Sequence, residues 1–317
     1  MCALLGWYLK PGAFSLEAKT KLAEYLVPES DKLGGDSWGC AIPQGQGRVE
    51  VRRGMGNMAD RCVSAELATH DILYGHCRRA TSGAKTLRNS HPFCVDHIIG
   101  AHNGMVHNHA RLDSCYPIRH CEVDSKHIFH HLAQGLSLEE LDAWGVVWFI
   151  RRHDPTKLNL FRSAYGHLAI RGLGKNSESC YGIIFATIAV DAEAAAEAME
   201  SESFMYSFDA HKLYFIKDGA LWDSKHDIAF GEGHRSSGDD YWDTHGSNTG
   251  YTTRSPLRLP PPSPMSRELR THGWSALIGK CDGCLHYFTT RSLSTIEAGD
   301  GRFCPDCRKP SVYATDQ

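Results

Sequence analysis

Short apolar runs recur from residue 2 to about residue 230, and this pattern then stops. Runs rich in β-branched and aromatic residues predict strands at 49–51, 72–74, 97–100, 168–170 and 182–190. Apolar residues at helical spacing predict helices after Ser15, after Ser125 and over 192–199, and Asp218-Gly219 predicts the turn of a β-hairpin. Because helices do not alternate strictly with strands, the pattern favours a layered α+β fold over a doubly wound parallel sheet.

Beyond residue 230 the composition changes twice. Residues 231–272 are rich in Gly, Ser and Pro, and such a segment cannot bury enough apolar surface to offset its ordering entropy. We therefore expect a disordered linker between a domain at 2–230 and a small module at 273–317. A polyproline ligand for an SH3-type domain is the alternative interpretation of the prolines.

Bulk composition limits the classes of partner and compartment. The formal net charge is -3, which gives no argument for binding to nucleic acid or to a membrane. No run approaches the roughly 18 apolar residues that span a bilayer, and the apolar N-terminus lacks the basic region of a signal peptide. We therefore expect a cytoplasmic protein whose cysteines are thiols or metal ligands. Seven of them show no ligand spacing and are predicted to be small, mostly buried residues: Cys40, Cys62, Cys77, Cys94, Cys115, Cys121 and Cys180.

Four further cysteines form two Cys-x-x-Cys pairs near the C-terminus. Cys281 with Cys284, and Cys304 with Cys307, are separated by nineteen residues. This spacing predicts a structural zinc ribbon in which the four thiolates bind Zn2+, and a redox dithiol is the alternative. Five Lys and Arg residues balance five Asp and Glu residues over 276–317, so the module lacks a phosphate-tracking charge. Docking to a protein partner is the preferred role, with nucleic acid as the alternative.

The N-terminus carries a candidate nucleophile at Cys2. A small second residue favours removal of Met1, which would leave Cys2 as the first residue of the chain. Its freed α-amine, with a reference pKa near ~8, can then act as the base for its own thiol. Because many chains begin Met-Cys by chance, this interpretation depends on the motifs that follow.

Two polar motifs follow predicted strands, and a third precedes a predicted helix. In the run 75–83, Arg78 could hold a substrate carboxylate and Thr81 could add a hydroxyl, whereas the alternative is a surface strand with solvated arginines. Asn103 and Gly104 could supply the two donors of an oxyanion hole, or could form a type I′ turn. Asp124 could bind a substrate ammonium, or could be a helix-terminal acid beside Ser125 as the N-cap.

Together these motifs resemble the class II glutamine amidotransferases, a branch of the Ntn hydrolases. The resemblance rests on Cys2, the run 75–83, His-Pro-Phe at 91–93, His-Asn-Gly at 102–104 and Asp-Ser at 124–125; it also includes 34–39 and the strand 185–187. It implies a four-layer αββα sandwich and hydrolysis of the glutamine side-chain amide. It implies these roles by position: Cys2 as nucleophile, Arg78 and Thr81 on the α-carboxylate, Asn103 and Gly104 as oxyanion hole, Asp124 on the α-ammonium.

The chain also departs from this family's pattern. Arg79 stands where members often carry Trp, Ser82 where several carry His, and Lys126 at a frequently acidic position. About 90 residues remain after the first domain, too few for the acceptor domain of the sugar- or purine-aminating members. We therefore expect ammonia to pass to a separate synthase, with no cofactor needed for glutamine hydrolysis. The alternatives are an amidase for another γ-glutamyl amide and an inactive adaptor built around the zinc ribbon.

Overall fold

The structure is a computed structural model of the chain. It describes residues 2–44, 47–62, 64–115 and 122–231, followed by four short strands: Ile278–Lys280, Tyr287–Thr289, Ser294–Thr295 and Arg302–Phe303. The chain divides into two compact units, residues 1–237 and 238–317. In the second unit, the first two of these strands pair antiparallel, as do the last two. Residues 232–272, which contain nearly all of the predicted linker, lie outside the described residues.

The first unit contains two antiparallel sheets. Sheet A has the strand order β11-β9-β10-β1-β4-β2-β3. Its strands are β1 (Ala3–Leu9), β2 (Ser37–Pro43), β3 (Val49–Met55), β4 (Ile72–Arg78), β9 (Ala169–Leu173), β10 (Gly182–Ala186) and β11 (Ser203–Met205). Sheet B has the order β13-β12-β8-β7-β6-β5. Its strands are β5 (Phe93–Val95), β6 (Ile98–Val106), β7 (Ala143–Arg151), β8 (Asp154–Arg162), β12 (Lys212–Lys217) and β13 (Ala220–Asp227).

Five α-helices accompany these sheets among the described residues. They are α1 (Leu16–Leu33), α2 (Ser64–Leu67), α3 (His109–Cys115), α4 (Lys126–Gln134) and α5 (Ala189–Ala198). The Ser15 hydroxyl begins α1 by accepting a hydrogen bond from the Ala18 N–H, and Gly135, at a φ of 68°, ends α4. These local signals, a side-chain cap and a left-handed glycine, fix both boundaries.

Strand β1 shows why the sheets stack face to face. Its successive side chains point to opposite faces: Leu5 and Trp7 pack with α1 and α5, whereas Leu4 and Tyr8 pack against sheet B. A third apolar cluster joins the outer face of sheet B to α4. The layers therefore run helix, sheet, sheet, helix. The α+β prediction is confirmed, and the layer order is the one that the family resemblance implies.

Two other sequence predictions have clear outcomes. The hairpin is confirmed, because Asp218 and Gly219 both have positive φ between β12 and β13. The predicted strand 182–190 is too long, since β10 ends at Ala186 and α5 begins at Ala189. The Ala- and Glu-rich residues that follow favour helix strongly enough to end the strand there.

The prediction that the cysteines without metal-ligand spacing are mostly buried is confirmed for those that the structure describes. Cys40, Cys62, Cys77 and Cys180 are buried free thiols, and Cys94 is a half-buried one. The Cys115 side chain and Cys121 lie outside the description. No helix within the described ranges is long and apolar enough to cross a membrane.

Candidate active site

Cys2 lies at the start of β1, beside the end of β4. Ala3 pairs with Cys77 in the sheet, so the preceding residue falls next to the loop that follows Arg78. The Cys2 Sγ lies 3.2 Å from the Arg79 carbonyl oxygen, and the Arg79 N–H donates to Sγ at 3.3 Å. The candidate nucleophile is therefore held against the main chain of the motif 75–83.

The surroundings of Cys2 act in opposite directions on its acidity. Burial raises the pKa of the Cys2 thiol, whereas the Arg79 N–H and the charge of Arg78 oppose that rise. The carboxylate of Asp124 adds to the rise in this pKa. The thiol therefore requires a base before it can act as a nucleophile.

Arg78 is a buried guanidinium that holds the loop following β4. Its side chain is 2% exposed, and Nη2 donates to the Ser82 carbonyl at 2.5 Å. Burial lowers the pKa of Arg78, while the negative charges of Cys2, Asp36 and Asp124 act to raise it. The alternative interpretation of this run was that both arginines are solvated. It is wrong for Arg78, which is buried, and correct for Arg79, which is exposed.

Asp36 anchors the same loop from the other side. Its carboxylate accepts hydrogen bonds from the Ala80 N–H at 2.8 Å and from Lys85 Nζ at 2.7 Å. The Lys85 hydrogen bond and the Ala80 N–H lower the pKa of Asp36. Thr81 lies in this loop with its side chain exposed, and its hydroxyl makes no hydrogen bond within the described residues. The loop is therefore fixed through Asp36 and Arg78 rather than through Thr81.

Asn103 and Gly104 lie within β6 rather than in a turn, so the type I′ alternative is wrong. They pair with Val146 and Gly145 of β7. A side chain at Gly104 would collide with the Trp144 carbonyl and with His102, because the two strands approach closely there. Pairing with β7, which is about 40 residues away in the sequence, thus keeps Asn103 and Gly104 extended although Asn-Gly locally favours a turn.

The Asn103 side chain points from sheet B toward the strand that carries Cys2. Its Nδ2 donates to Thr187 Oγ1 at 3.4 Å. The same Thr187 oxygen accepts a hydrogen bond from the Leu4 N–H at 2.8 Å. Because Leu4 is two residues beyond Cys2, this hydroxyl joins the candidate oxyanion donor to the main chain next to the candidate nucleophile.

Asp124 lies behind the end of β6. It is 4% exposed, and its Oδ2 accepts a hydrogen bond from the Val106 N–H at 2.7 Å. No hydrogen bond within the described residues engages its other carboxylate oxygen. Asp124 is therefore held by the strand that carries Asn103 and Gly104, with one carboxylate oxygen left for a ligand.

Ser125 occupies the N-cap position of α4, as that alternative has it, but its side chain makes no capping hydrogen bond. Its hydroxyl instead bonds to His102 Nδ1 at 2.9 Å, and His102 Nε2 lies 3.0 Å from the Trp144 carbonyl. Because a carbonyl can only accept, Nε2 carries the proton, and Ser125 donates to Nδ1. Burial lowers the pKa of His102, which favours this neutral form.

The geometry brings together five of the six candidate residues in the first unit. The side chains of Cys2, Arg78 and Asp124 influence one another electrostatically. Asn103 and Gly104 lie on β6, the strand whose Val106 N–H holds Asp124. Thr81 is exposed beside the group. The cysteines of the predicted zinc site lie outside the described residues: Cys281, Cys284, Cys304 and Cys307. Among described residues there is no cluster of three or more His, Cys, Asp or Glu side chains that could hold a metal ion.

The sequence indicates no site role for four residues that organise this site. They are Asp36, His102, Ser125 and Thr187, and each lies within a motif whose other members suggest chemistry. All four hold a partner by a side-chain hydrogen bond across at least 23 positions. Membership of a motif is therefore the only sequence signal for these residues, since their hydrogen-bond partners are too distant along the chain to be predicted from neighbouring residues.

Comparisons with known proteins bear on this geometry. No family model matches the chain. In an alignment of 184 positions that covers 50% of this chain, the sequence is 30% identical to the isomerizing glutamine--fructose-6-phosphate aminotransferase of Salmonella paratyphi A. It is 34% identical over 108 residues to the protein of the same name from Caulobacter vibrioides, covering 32% of this chain and 17% of that protein. The chain spans 30% of the length of the first relative, so the comparison concerns a part of that enzyme.

A solved structure supports the fold. The structure of the allosteric regulatory enzyme of purine biosynthesis superimposes with a TM-score of 0.51 at 14% identity. It matches 70% of this chain and 48% of that one. At this identity the likeness concerns the fold alone. The chain is thus distantly similar to the class II glutamine amidotransferase domains.

Proposed function

We propose that this chain hydrolyses the side-chain amide of glutamine through a thioester on Cys2. The observation that carries the proposal is the convergence of a half-buried thiol, a buried guanidinium and a buried carboxylate, with a side-chain amide donor on the facing sheet. Each group alone has a structural explanation. A site that contains all of them suits a polar substrate with both charges and a carbonyl.

The charged pair selects an amino acid. Arg78 would bind the α-carboxylate, and Asp124 would bind the α-ammonium. Both side chains are nearly excluded from water, with exposures of 2% and 4%, so an unpaired charge there is costly. A zwitterionic ligand pairs both charges at once. Thr81 is the nearest candidate for a further hydroxyl on the carboxylate.

The chemistry follows from the residues around the thiol. With Met1 removed, the α-amine of Cys2 accepts the thiol proton, and the sulfur attacks the amide carbon. The resulting oxyanion receives hydrogen bonds from the Asn103 amide and the Gly104 N–H. The α-amine returns the proton to the leaving nitrogen, ammonia departs, and water hydrolyses the thioester to glutamate. No metal or cofactor is needed for these steps.

The fate of the ammonia belongs to the same proposal. The chain spans 30% of the length of the Salmonella paratyphi A relative, a glutamine--fructose-6-phosphate aminotransferase by name. We propose that this chain delivers ammonia to a separate acceptor protein. The four C-terminal cysteines would form a structural zinc site in the module at 273–317, with protein docking as its role.

The test is ammonia release from glutamine and from a panel of γ-glutamyl amides. The full chain is expected to prefer glutamine, and Cys2→Ala is expected to abolish release, whereas Cys94→Ala, which removes a half-buried thiol elsewhere, leaves it unchanged. Arg78→Gln should raise KM at least tenfold, in line with the loss of a charged hydrogen bond of ~1.5–3 kcal/mol. Arg79→Gln, the exposed neighbour, should not. Equal rates on several γ-glutamyl amides would instead favour a broader amidase.

A further inference from the structure

The described part of the first unit ends in a segment that is fixed directly behind the site. The Ile228 N–H donates to the His211 carbonyl at 2.9 Å, and Gly231 forms an isolated parallel bridge with Asp142. A side chain at Gly231 would collide with the Glu139 carbonyl. The chain therefore follows one closely defined path as it leaves this unit.

Phe230 lies in this segment and is buried in the cluster on the outer face of sheet B. It is 4% exposed, and its ring centroid lies 5.3 Å from that of Phe161. The same ring lies 6.1 Å from the His102 imidazole at an interplanar angle of 65°. This edge-to-face arrangement is a favourable geometry for two rings and fixes their relative orientation.

His102 connects the packing of Phe230 to the candidate site, because it contacts Phe230 and directly precedes Asn103. Both of its ring nitrogens are already engaged, with Ser125 and with the Trp144 carbonyl. Phe230 therefore acts on the ring edge-on, rather than by a hydrogen bond. A rotation of the imidazole would break both hydrogen bonds at once, because they lie on opposite sides of one planar ring.

Two parts of the site depend on that imidazole. Asn103 follows His102 directly on β6, so the orientation of the ring is coupled to the backbone that places the amide donor. Asp124 precedes Ser125, whose hydroxyl is held by the ring. A second connection runs from Gly231 through Asp142, whose carbonyl accepts from the His107 N–H at 2.7 Å at the end of β6.

We propose that Phe230 is a positioning residue that holds the Asn103–Gly104 strand through His102. This inference rests on the proposed glutaminase function. It means that the segment 228–231, at the end of the described part of the first unit, affects the rate of catalysis. Removing the ring leaves a cavity beside His102 and lets the imidazole turn. Small displacements of a reacting group can lower a rate by up to about a hundredfold.

The experiment compares Phe230→Leu with Phe208→Leu in the full chain. Phe208 is a matched control, because it is also buried and packs edge-to-face on an aromatic ring, Tyr214, at 5.3 Å. The kcat for glutamine is measured per active site, with sites counted by covalent labelling of Cys2 with 6-diazo-5-oxo-L-norleucine. If Phe230 had a purely structural role, its substitution would change the fraction of folded protein but not the rate of each folded site. Dividing the rate by the number of labelled sites therefore separates the two roles.

Phe230→Leu is expected to lower kcat per labelled site roughly tenfold, with a smaller change in KM. Phe208→Leu should lose thermal stability but stay within about twofold of the wild type in kcat per site. Phe230→Tyr, which keeps a ring, should recover most of the rate, and it remains informative if Phe230→Leu does not fold. Equal kcat per site in all variants would overturn the inference while leaving the glutaminase function intact. A wild-type chain that releases no ammonia from glutamine would overturn both.

Discussion

The Asn103 carboxamide donates a hydrogen bond to Thr187 across the gap between the two sheets, at 3.4 Å. The Thr187 hydroxyl oxygen also accepts from the Leu4 N–H, so it is shared between the candidate oxyanion donor and the strand that begins at Cys2. One side chain therefore links the candidate oxyanion hole to the strand of the candidate nucleophile. This explains how two sheets that meet only through side chains can hold a reaction geometry.

Thr187→Val is predicted to lower glutamine hydrolysis. Valine keeps the shape but removes the oxygen, so Asn103 loses its partner and the buried Leu4 N–H is left unsatisfied. We expect kcat to fall about tenfold and the free energy of unfolding to fall by ~1–3 kcal/mol. Thr187→Ser keeps the hydroxyl and should retain most activity. Steady-state ammonia release and urea denaturation measure both effects, and an unchanged kcat in Thr187→Val would contradict the role of this contact.

The reactivity of Cys2 should rise at higher pH than that of an ordinary thiol. Burial raises the pKa of the Cys2 thiol, so the thiolate forms later on the pH scale. The charge of Arg78 lowers the same pKa, so Arg78→Met should move the profile further upward, while Arg79→Met should leave it in place. The measurement is the rate of iodoacetamide labelling at Cys2 against pH, with glutathione as the reference. A Cys2 profile below that of glutathione would show that burial is not the dominant effect.

The buried histidines between the sheets should make the fold sensitive to acid. Burial lowers the pKa of His76 to about 3 and that of His91 well below its usual value. Because each is neutral when folded, stability is complete above the unfolded pKa near 6.5 and is lost as the pH falls. His76 alone should cost ~2–3 kcal/mol between pH 7 and pH 4.5.

The free energy of unfolding from urea denaturation at several pH values tests this expectation. His76→Gln should flatten its pH dependence, whatever it does to stability at neutral pH. His226→Gln is the control, because that residue is exposed on β13. A stability that stays constant from pH 7 to pH 4.5 would contradict neutral burial of His76.

The purified chain should contain about one zinc ion, held by the four C-terminal cysteines. Cys284→Ser is expected to lower the zinc content, because a structural site needs all four ligands, and Cys94→Ser should not. Chelation should leave glutamine hydrolysis unchanged, since the proposed mechanism uses no metal. Elemental analysis and ammonia release measure the two outcomes. Full zinc content in Cys284→Ser would show that the metal is bound elsewhere.

Local signals predicted the parts of this fold that neighbouring residues decide. The Ser15 cap and the Asp218-Gly219 turn are examples, because the residues that satisfy each signal lie within a few positions of it. The α+β class followed from periodicity in the same way. The candidate site was predictable to the extent that the residue types in each motif indicate chemistry.

Tertiary partners decided the rest, and these cannot be read from local sequence. Asn103-Gly104 has the form of a turn, yet it pairs with Val146 and Gly145 in the middle of a sheet. Ser125 has the form of an N-cap, yet its hydroxyl bonds to a histidine 23 positions earlier. In both cases a distant partner competes with the local preference and provides the stronger interaction, since the groups are buried.

The most direct test of the account is the intact mass of the full chain before and after incubation with 6-diazo-5-oxo-L-norleucine, a glutamine analogue that alkylates such nucleophiles. We predict a starting mass that lacks Met1, followed by a single adduct that maps to Cys2 and is prevented by excess glutamine. Retention of Met1, or an adduct that is absent from Cys2, would contradict the central claim that Cys2 is the nucleophile of a glutamine-hydrolysing site.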